Sequence, residues 1–495
     1  MRQCKLLITD EVNVKLSGVD LDDRKTLVKM FEFEVPGARY LPSVRLGRWN
    51  GKTSYFSIGG STYINLLPEI LPVLLESGYD VELEDLRTYQ KSFTFGEVSE
   101  DSYSTFVWPP GHLRAGEPIM LRDYQVKIIN EFLNNTQSIQ EVATGAGKTL
   151  TTAVLSHCVQ QYGRSIIIVP NKGLVTQTEE DYINIGLDVG VYYGDRKEFN
   201  KKHTICTWQS LNNMLKNTKN GEAEVSIQDF IEDVVCVMVD EVHMAKADVL
   251  KTLLTGPFSH IPIRWGLTGT IPKDKFQSLS LSISLGPVTG TLSASELQDR
   301  GVLANCHVNI RQLQDHAEFT NYQTELKFLT EDSKRLDKIA KMIMDIKSTG
   351  NTLVLVDRIS TGNELSKRLS DIFSILKEKN SVMFVSGATH LDDRKEEYDS
   401  IATDNNKITL ATYGVAAVGV NVPRIFNLVL LEPGKSYVRV IQSIGRGIRK
   451  ADDKDFVQIW DLTSSCKFSK RHLTQRKAFY KDANYPFTLE KITYK

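Results

Sequence analysis

Cysteine is scarce and scattered: the six in 495 residues (Cys4, Cys158, Cys206, Cys236, Cys306, Cys466) form no C-x-x-C pair and sit at no short spacing from a histidine. That excludes a zinc cage or a disulfide framework and points to a reducing compartment. Basic charge is not in surplus either, because 60 Lys and Arg stand against 61 Asp and Glu. Any surface for nucleic acid must therefore come from local segregation of charge. Nowhere do about eighteen apolar residues run together, as a membrane span needs, and the opening "MRQCKLLITDEVNVKLS" has only a short apolar run before charges resume. No signal peptide or membrane partner is expected, and the chain reads as soluble and cytoplasmic. Internal repeats and low-complexity tracts are also missing.

What is present is ordinary for globular protein, 41% hydrophobic and 24% charged, at a length that suits about three domains. The first hundred residues alternate strand-like "CKLLI" and "VNVKL", an amphipathic "DDRKTLVKMFEF", extended "YLPSVRL" and "SYFSI", a helical "EILPVLLES" stopped by Gly78, and "DVELE". This order predicts a small α+β domain over 1–108, followed by a Pro/Gly-rich linker at 109–120. Over 121–290 continuous apolar runs alternate with helical stretches: "SIIIVP", "HTICT", "VVCVMVDE", "RWGLTGT". A joining segment at 291–330 leads to a second series over 331–495: "TLVLVD", "SVMFVSG", "KITLAT", "NLVLLE", "FVQIWD". Such runs with helices between them predict parallel sheets covered on both faces. The expected fold class is α/β, two tandem parallel-sheet domains preceded by the small α+β domain.

Within the first series, "VATGAGKT" (142–149) nearly matches the phosphate-loop pattern G-x-x-x-x-G-K-[ST], with Val142 where the pattern has glycine. Thr144, Gly145, Ala146 and Gly147 supply a tight turn of inward N–H groups, Lys148 a charge for the terminal phosphates, and Thr149 a hydroxyl for Mg²⁺. Val142 stands at the strand-to-loop junction, where a side chain can point away from phosphate. Taken alone, the loop also reads as a Gly-rich turn with a solvated lysine. "VMVDEVH" (237–243) puts Asp240 and Glu241 at the end of an apolar strand, where an open parallel sheet presents ligand-facing groups. Asp240 suits Mg²⁺ and Glu241 suits the general base that activates water. "LRDYQ" (121–125) offers Arg122, Tyr124 and Gln125; the glutamine can meet both a donor and an acceptor of adenine, or the stretch is simply a helix start with Asp123 near its cap. "QSIGRGIRK" (442–450) places Arg446 and Arg449 on one helical face, as a triphosphate clamp or a solvated basic end. Before it, "ATYGVAAVGVNVP" (411–423) has Gly419 where backbone can pass close to a ligand and Asn421 able to bond ribose or the arginines.

In order and spacing, "LRDYQ", "ATGAGKT", "DEVH", "LTGT", "ATYGVAAVGVNVP" and "QSIGRGIR" resemble the motifs of the superfamily-two helicases over about Leu121 to Asp461. The segment 284–308 is similar to the linker of the branch containing XPB-like, RecG-like and restriction-enzyme motor proteins, and the whole chain, small first domain included, is similar to bacteriophage members of the family. The resemblance implies two RecA-like domains with ATP between them. It assigns phosphates and Mg²⁺ to Lys148, Thr149 and Asp240, catalysis to Glu241 with Gln442, Arg446 and Arg449 from the second domain, and coupling to His243, Thr268 and Thr270. Nucleic-acid contacts would come from Asn171, Lys172, Thr207, Trp208, Gln209, Ser210, Arg358 and Thr412. Asn421 stands where many relatives carry aspartate, which leaves its contact open. For a chain of phage origin the compartment is the host cytoplasm, and recombination or single-strand-binding proteins are the expected protein partners.

One further stretch points to DNA. Between Val35 and Pro68 there is no Asp or Glu, while Arg39, Arg45, Arg48 and Lys52 interleave with Tyr40, Trp49, Tyr55 and Phe56. Basic groups find phosphates and exposed aromatics stack on or wedge beside bases, so Arg45, Arg48, Trp49 and Lys52 are candidate contacts in a presumed hairpin; the alternative has the aromatics in a core and the cations merely solvated. The expected substrate is branched DNA, including RNA–DNA hybrids. An RNA-remodelling helicase, a restriction-type motor subunit and a non-motor nucleotide switch are the competing readings.

Overall fold

Along 2–8 and 13–17 buried apolar side chains alternate with exposed polar ones, the period-2 signature of strands with one wet face. In the computed structural model they are β1 (Arg2–Ile8) and β2 (Asn13–Ser17). The structure describes residues 2–494 except 36, 88–92, 111–113, 243–246, 273, 380, 388, 390–399, 402–403, 417–423 and 452. Two units divide the chain, Met1–Glu141 with Gly147–Thr291 and Val142–Ala146 with Leu292–Lys495. Among the described residues no helix is long and apolar enough to cross a membrane.

The first unit begins with a small two-layer domain. After β2 come α1 (Leu21–Met30), β3 (Glu32–Glu34), α2 (Pro42–Arg45), β4 (Lys52–Ser54), β5 (Ser61–Tyr63), α3 (Leu67–Glu76) and β6 (Tyr79–Asp85). Its sheet runs β5-β2-β1-β6, antiparallel except for β1 with β6, and β3 pairs separately with β4. Two expectations are corrected here. "YLPSVRL" is helical rather than extended, because Pro42 occupies the first helical position, where its fixed φ fits and its missing N–H costs nothing. The presumed hairpin is also absent: β4 pairs back to β3, and Tyr55 and Phe56 join Leu6, Val14, Leu27 and Ile70 in the core.

The second sheet of this unit has the order β10-β9-β11-β8-β12-β13-β7-β14. Its strands are β7 (Gln137–Val142), β8 (Arg164–Val169), β9 (Val189–Tyr193), β10 (Arg196–Lys197), β11 (His203–Thr207), β12 (Val234–Asp240), β13 (Ile263–Thr268) and β14 (Val288–Leu292). From β9 through β7 the pairing is parallel. Helices α4 (Asp123–Asn134), α5 (Lys148–Val159), α6 (Lys172–Asn184), α7 (Trp208–Asn220), α8 (Ile227–Phe230), α9 (Ala247–Thr255) and α10 (Lys275–Leu285) connect them. β12 is buried along its full length, which is why it reads as an unbroken apolar run. The stretch expected to end the small domain at 108 packs here instead: Phe93 and Phe95 meet Tyr162, Asn130 exchanges hydrogen bonds with the Val98 backbone, and Tyr103 reaches His157. In the Pro/Gly-rich stretch Trp108 N–H donates to Glu117 O and Gly116 N–H donates to Trp108 O.

The small domain is fastened to this sheet's helices. Tyr55 stacks on Phe276 of α10 at 5.7 Å and its hydroxyl donates to the Phe276 carbonyl, while Lys251 of α9 lies 4.3 Å over the same ring. Ile283 of α10 completes the small domain's core, and Gln137 of β7 donates to Glu11 O.

The second unit is one parallel sheet, β17-β18-β16-β19-β20-β15-β21, built from β15 (Asn305–Leu313), β16 (Thr352–Val356), β17 (Val382–Val385), β18 (Ile408–Thr412), β19 (Asn427–Leu431), β20 (Phe456–Ser464) and β21 (Phe487–Ile492). The expected joining segment 291–330 therefore contributes a sheet strand: β15 alternates buried and half-exposed residues, so it lacks a continuous apolar run like those of β16 and β19. Both units are RecA-like in layout, parallel sheets with helical connections.

Candidate active site

Three neighbouring strands, β12, β13 and β7, deliver the motif residues of the first unit to one sheet edge. From β7 the chain turns through Gly145 (φ 93°) and Gly147 (φ 82°) into α5. Both glycines are in the left-handed region that side chains resist, and a Cβ on Gly147 would lie 2.5 Å from the Gln125 amide nitrogen. The N-cap of α5 is Gly147, which has no side chain with which to cap the helix, and the first-turn N–H groups and positive dipole end of such a helix start suit an anion. Val142 is buried as the last residue of β7, Thr144 and Ala146 are buried within the loop, and Thr149 is half-buried on the first turn of α5.

Lys148 Nζ donates to Glu241 Oε1 at 2.8 Å with both side chains under a tenth exposed. Burial raises the stakes of this pair, since a lone charge there would be poorly solvated. Glu241 follows β12 with φ 51°, a conformation costing about 1–3 kcal/mol for a non-glycine residue. It is held on both sides: its N–H donates to Asp240 Oδ1 at 2.9 Å, and Gly269 N–H donates to its Oε2 at 3.2 Å. Beside it, Thr268 Oγ1 donates to Thr270 O and accepts from Thr270 N–H, closing "LTGT" on itself. Glu141 on β7 accepts from Ile271 N–H. Gly269 and Glu141 are the site residues that pattern reading passed over; the glycine inside "LTGT" was the available signal.

The "LRDYQ" side chains interlock. Gln125 Oε1 accepts from Arg122 N–H at 3.0 Å and its Nε2 reaches Gly147 O at 3.4 Å, so the glutamine ties the start of α4 to the phosphate loop; Arg122 donates to the Tyr124 hydroxyl. Asp240 and Thr149 are hard oxygen donors beside a helix N-terminus, which fits Mg²⁺, an ion that takes one or two protein oxygens and completes its shell with phosphate and water.

Of the expected coupling and second-unit residues, His243, Gly419 and Asn421 lie outside the described residues, as do the side chains of Gln442 and Arg446. Arg449 is half-buried just past the helix Tyr437–Gly447. The expected nucleic-acid contacts stand at strand and helix ends, several in local hydrogen bonds. Asn171 caps α6 by accepting from Leu174 N–H, and Thr207 caps α7 by accepting from Ser210 N–H. Gln209 donates to Pro170 O, joining the loops after β8 and β11, and Trp208 packs on the core. The Lys172 ammonium is exposed, 5.9 Å over Tyr193. Arg358 opens the helix Ile359–Leu376 and pairs with Glu331 at 3.2 Å, and Thr412 ends β18 half-buried.

On the small domain, Arg39, Tyr40, Leu41, Arg45, Leu46 and Arg48 are exposed around α2, with Tyr40 63% and Leu46 64% accessible. Lys52 is instead neutralised by Glu32 at 3.0 Å, and Trp49, half-buried, donates to Lys52 O.

A family model described as "Type III restriction enzyme, res subunit" matches residues 118–273, and one for the helicase conserved C-terminal domain matches 334–451. The ATP-dependent DNA helicase UvsW of enterobacteria phage T4 is 25% identical over 468 residues, covering 91% of this chain and 88% of its own. The DNA 3'-5' helicase XPB of Kineococcus radiotolerans is 22% identical over 383 residues, 74% of this chain and 64% of its own. Among solved structures, a fragment described as the HsdR subunit of a type I restriction enzyme from Vibrio vulnificus YJ016 matches 97% of this chain and 85% of its own with a TM-score of 0.57 at 17% identity, a likeness of fold.

Proposed function

Because the chain is a superfamily-two helicase, an ATP-dependent enzyme, we propose that it moves along DNA and remodels branched substrates (replication forks, four-way junctions, displacement loops and RNA–DNA hybrids) in recombination and repair. The observation that carries the reading is the buried Lys148–Glu241 pair at a helix start whose N-cap is a glycine. Arriving phosphates offer Lys148 a stronger set of anions than one carboxylate, so the lysine transfers to them and Glu241 is released to take a proton from the attacking water. Gly269 N–H, on the other carboxylate oxygen, keeps the base aimed during that exchange. Thr149 and Asp240 would hold Mg²⁺, which supplies charge neutralisation at the phosphates when bound. We assign Gln442, Arg446 and Arg449 to the charge that develops as the terminal phosphate leaves, a role worth about 10³–10⁵ in rate for an arginine.

Loops after β8 and β11, with Arg358 and Thr412 in the second unit, would grip the strand, and cycles of nucleotide binding and loss would shift those grips in turn. The exposed Arg39, Arg45 and Arg48 with Tyr40 and Leu46 supply a basic surface with apolar tips, the chemistry that meets duplex arms and wedges at a branch point. A motor subunit of a restriction assembly is the second reading, favoured by the family model over 118–273. ATPase stimulation compared across single strands, plain duplex, forks, four-way junctions and RNA tests the proposal. Branched DNA is expected to stimulate most; a preference for RNA, or equal response to any long duplex, would overturn it.

A further inference from the structure

The helix Tyr437–Gly447 ends in a backbone that is held unusually firmly for a segment leading into a loop. Helix ends leave carbonyls without intrahelical partners. Here three successive ones are filled: Gly447 O accepts from Lys454 Nζ at 2.8 Å, Ile448 O from Ala304 N–H at 2.8 Å, and Arg449 O from Lys454 Nζ at 2.6 Å. One ammonium thus spans the carbonyls on either side of Ile448. Lys454 is 1% exposed, its own N–H donates to Ala451 O, and Ile448 beneath it is fully buried. The chain on each side is pinned as well, by an antiparallel bridge between Leu303 and Arg449 and by ion pairs of Lys450 with Asp455 and Arg424 with Asp453.

Burying an ammonium is costly. It pushes the Lys454 pKa down to about 7, with the charge of Arg449 adding to the fall and Asp453 opposing it. A leucine or methionine would fill the same volume without that cost and would leave Gly447 O and Arg449 O unmet. A cation at a helix C-terminus also opposes the negative end of the dipole.

We propose that Lys454 is a positioning residue, which fixes the backbone from Gly447 to Arg449 and so sets where Arg449 stands when it acts on phosphate. The inference rests on the assignment of Arg449 to the developing phosphate charge. Nothing in it requires Lys454 to touch the nucleotide.

Lys454→Met keeps the bulk and removes the donors. DNA-stimulated turnover is expected to fall at least tenfold, with equilibrium binding of a fluorescent ATP analogue within twofold of the parent. The decisive comparison is with Arg449→Ala. Once the arginine is gone its placement no longer matters, so the double variant should be no slower than Arg449→Ala alone, within twofold. Losses that multiply in the double variant would overturn the proposal, as would Lys454→Met turnover within twofold of the parent while Arg449→Ala is crippled. Near-normal Arg449→Ala would instead strike down the arginine assignment and this inference with it. Lys454→Gln, which retains two donors without the charge, is the companion: if Lys454→Met does not fold, the same double-variant comparison is made with the glutamine, and failure of both to fold would assign Lys454 to stability alone and end the proposal.

Discussion

Glu241 shows how much one residue is asked to do: its backbone is strained, its carboxylate is divided between Lys148 and Gly269, and the role proposed for it needs it ionised inside the protein. Removing one member of such a pair takes from the other its oppositely charged partner inside the protein, at a cost of up to about 3–5 kcal/mol. Lys148→Ala should therefore lower the melting temperature as well as abolish hydrolysis. Glu241→Gln should still bind ATP but fail to turn it over. Combining the two should recover part of the stability lost by Lys148→Ala and none of the activity, which a double-mutant cycle on thermal unfolding reads directly. Val142, by contrast, is a buried strand residue, and its departure from the loop pattern leaves the turn geometry to Gly145 and Gly147. A second residue sets an acid limit. His203 is fully buried, bonded through Nδ1 to Ser165, and desolvation lowers its pKa from 6.5 to about 4. Between those values the unfolded chain takes up a proton that the folded chain refuses. Its contribution is therefore complete above about pH 6.5 and is lost as pH falls towards 4, about 3 kcal/mol in all. His203→Gln should flatten the stability profile in that window, measured by denaturant unfolding from pH 7 to 4.

Among elements, α9 and α10 matter most, because they follow Asp240, Glu241 and "LTGT" of the candidate site in the chain and also carry the small domain. Tyr55, 2% exposed, is the pin between them. Tyr55→Ala removes a large buried ring, its stacking on Phe276 and its hydrogen bond, and should destabilise the first unit by about 3–5 kcal/mol, seen as a lower melting temperature with ATP-analogue binding to the remaining folded protein unchanged. Legibility differed by element for physical reasons. Strands β8, β12, β16 and β19 were readable because burial on both faces makes them nearly uninterrupted apolar runs. The meeting of Lys148 with Glu241 was legible because both motifs stand just after the ends of strands of one sheet. β15 was hidden by its alternation, and α2 by a β-like composition that Pro42 overrides. Whether Tyr55 and Phe56 faced core or DNA could not be read from the sequence, since aromatic residues among arginines fit either until a partner surface such as Phe276 is known. Lys454 was invisible for a related reason: a lysine in a charged loop looks solvated.

For the molecule as a whole, net charge near neutrality means that DNA affinity must be concentrated in places. The α2 region of the small domain is the place proposed for it here, with Arg39, Arg45 and Arg48 as its exposed cations now that Lys52 is matched by Glu32. Reversing those three charges should flatten the dependence of junction affinity on salt by about 0.9 log units per log unit of salt for each phosphate that the arginines no longer neutralise, while ATPase activity stimulated by single strands survives. An unchanged slope in a folded triple variant, measured by titration across a salt series, would remove the small domain from DNA binding.

The sheet order of the second unit also bears on how the protein is made. β15 is the first strand of that sheet to leave the ribosome, yet its partners β20 and β21 are its last, and Asn305 must wait for Phe456 to be translated before it can pair. At about 5–20 residues per second, the intervening stretch of about 150 residues keeps β15 unpaired for roughly 8 to 30 seconds, whereas β14, the last strand of the preceding sheet, has its partners already synthesised. Each nascent chain therefore passes through a period as a finished front half trailing a bare strand. Its alternation of half-exposed polar residues, which hid it from pattern reading, also makes that strand a poorer template for association with its neighbours on a polysome than the fully apolar runs of β16 or β19 would be.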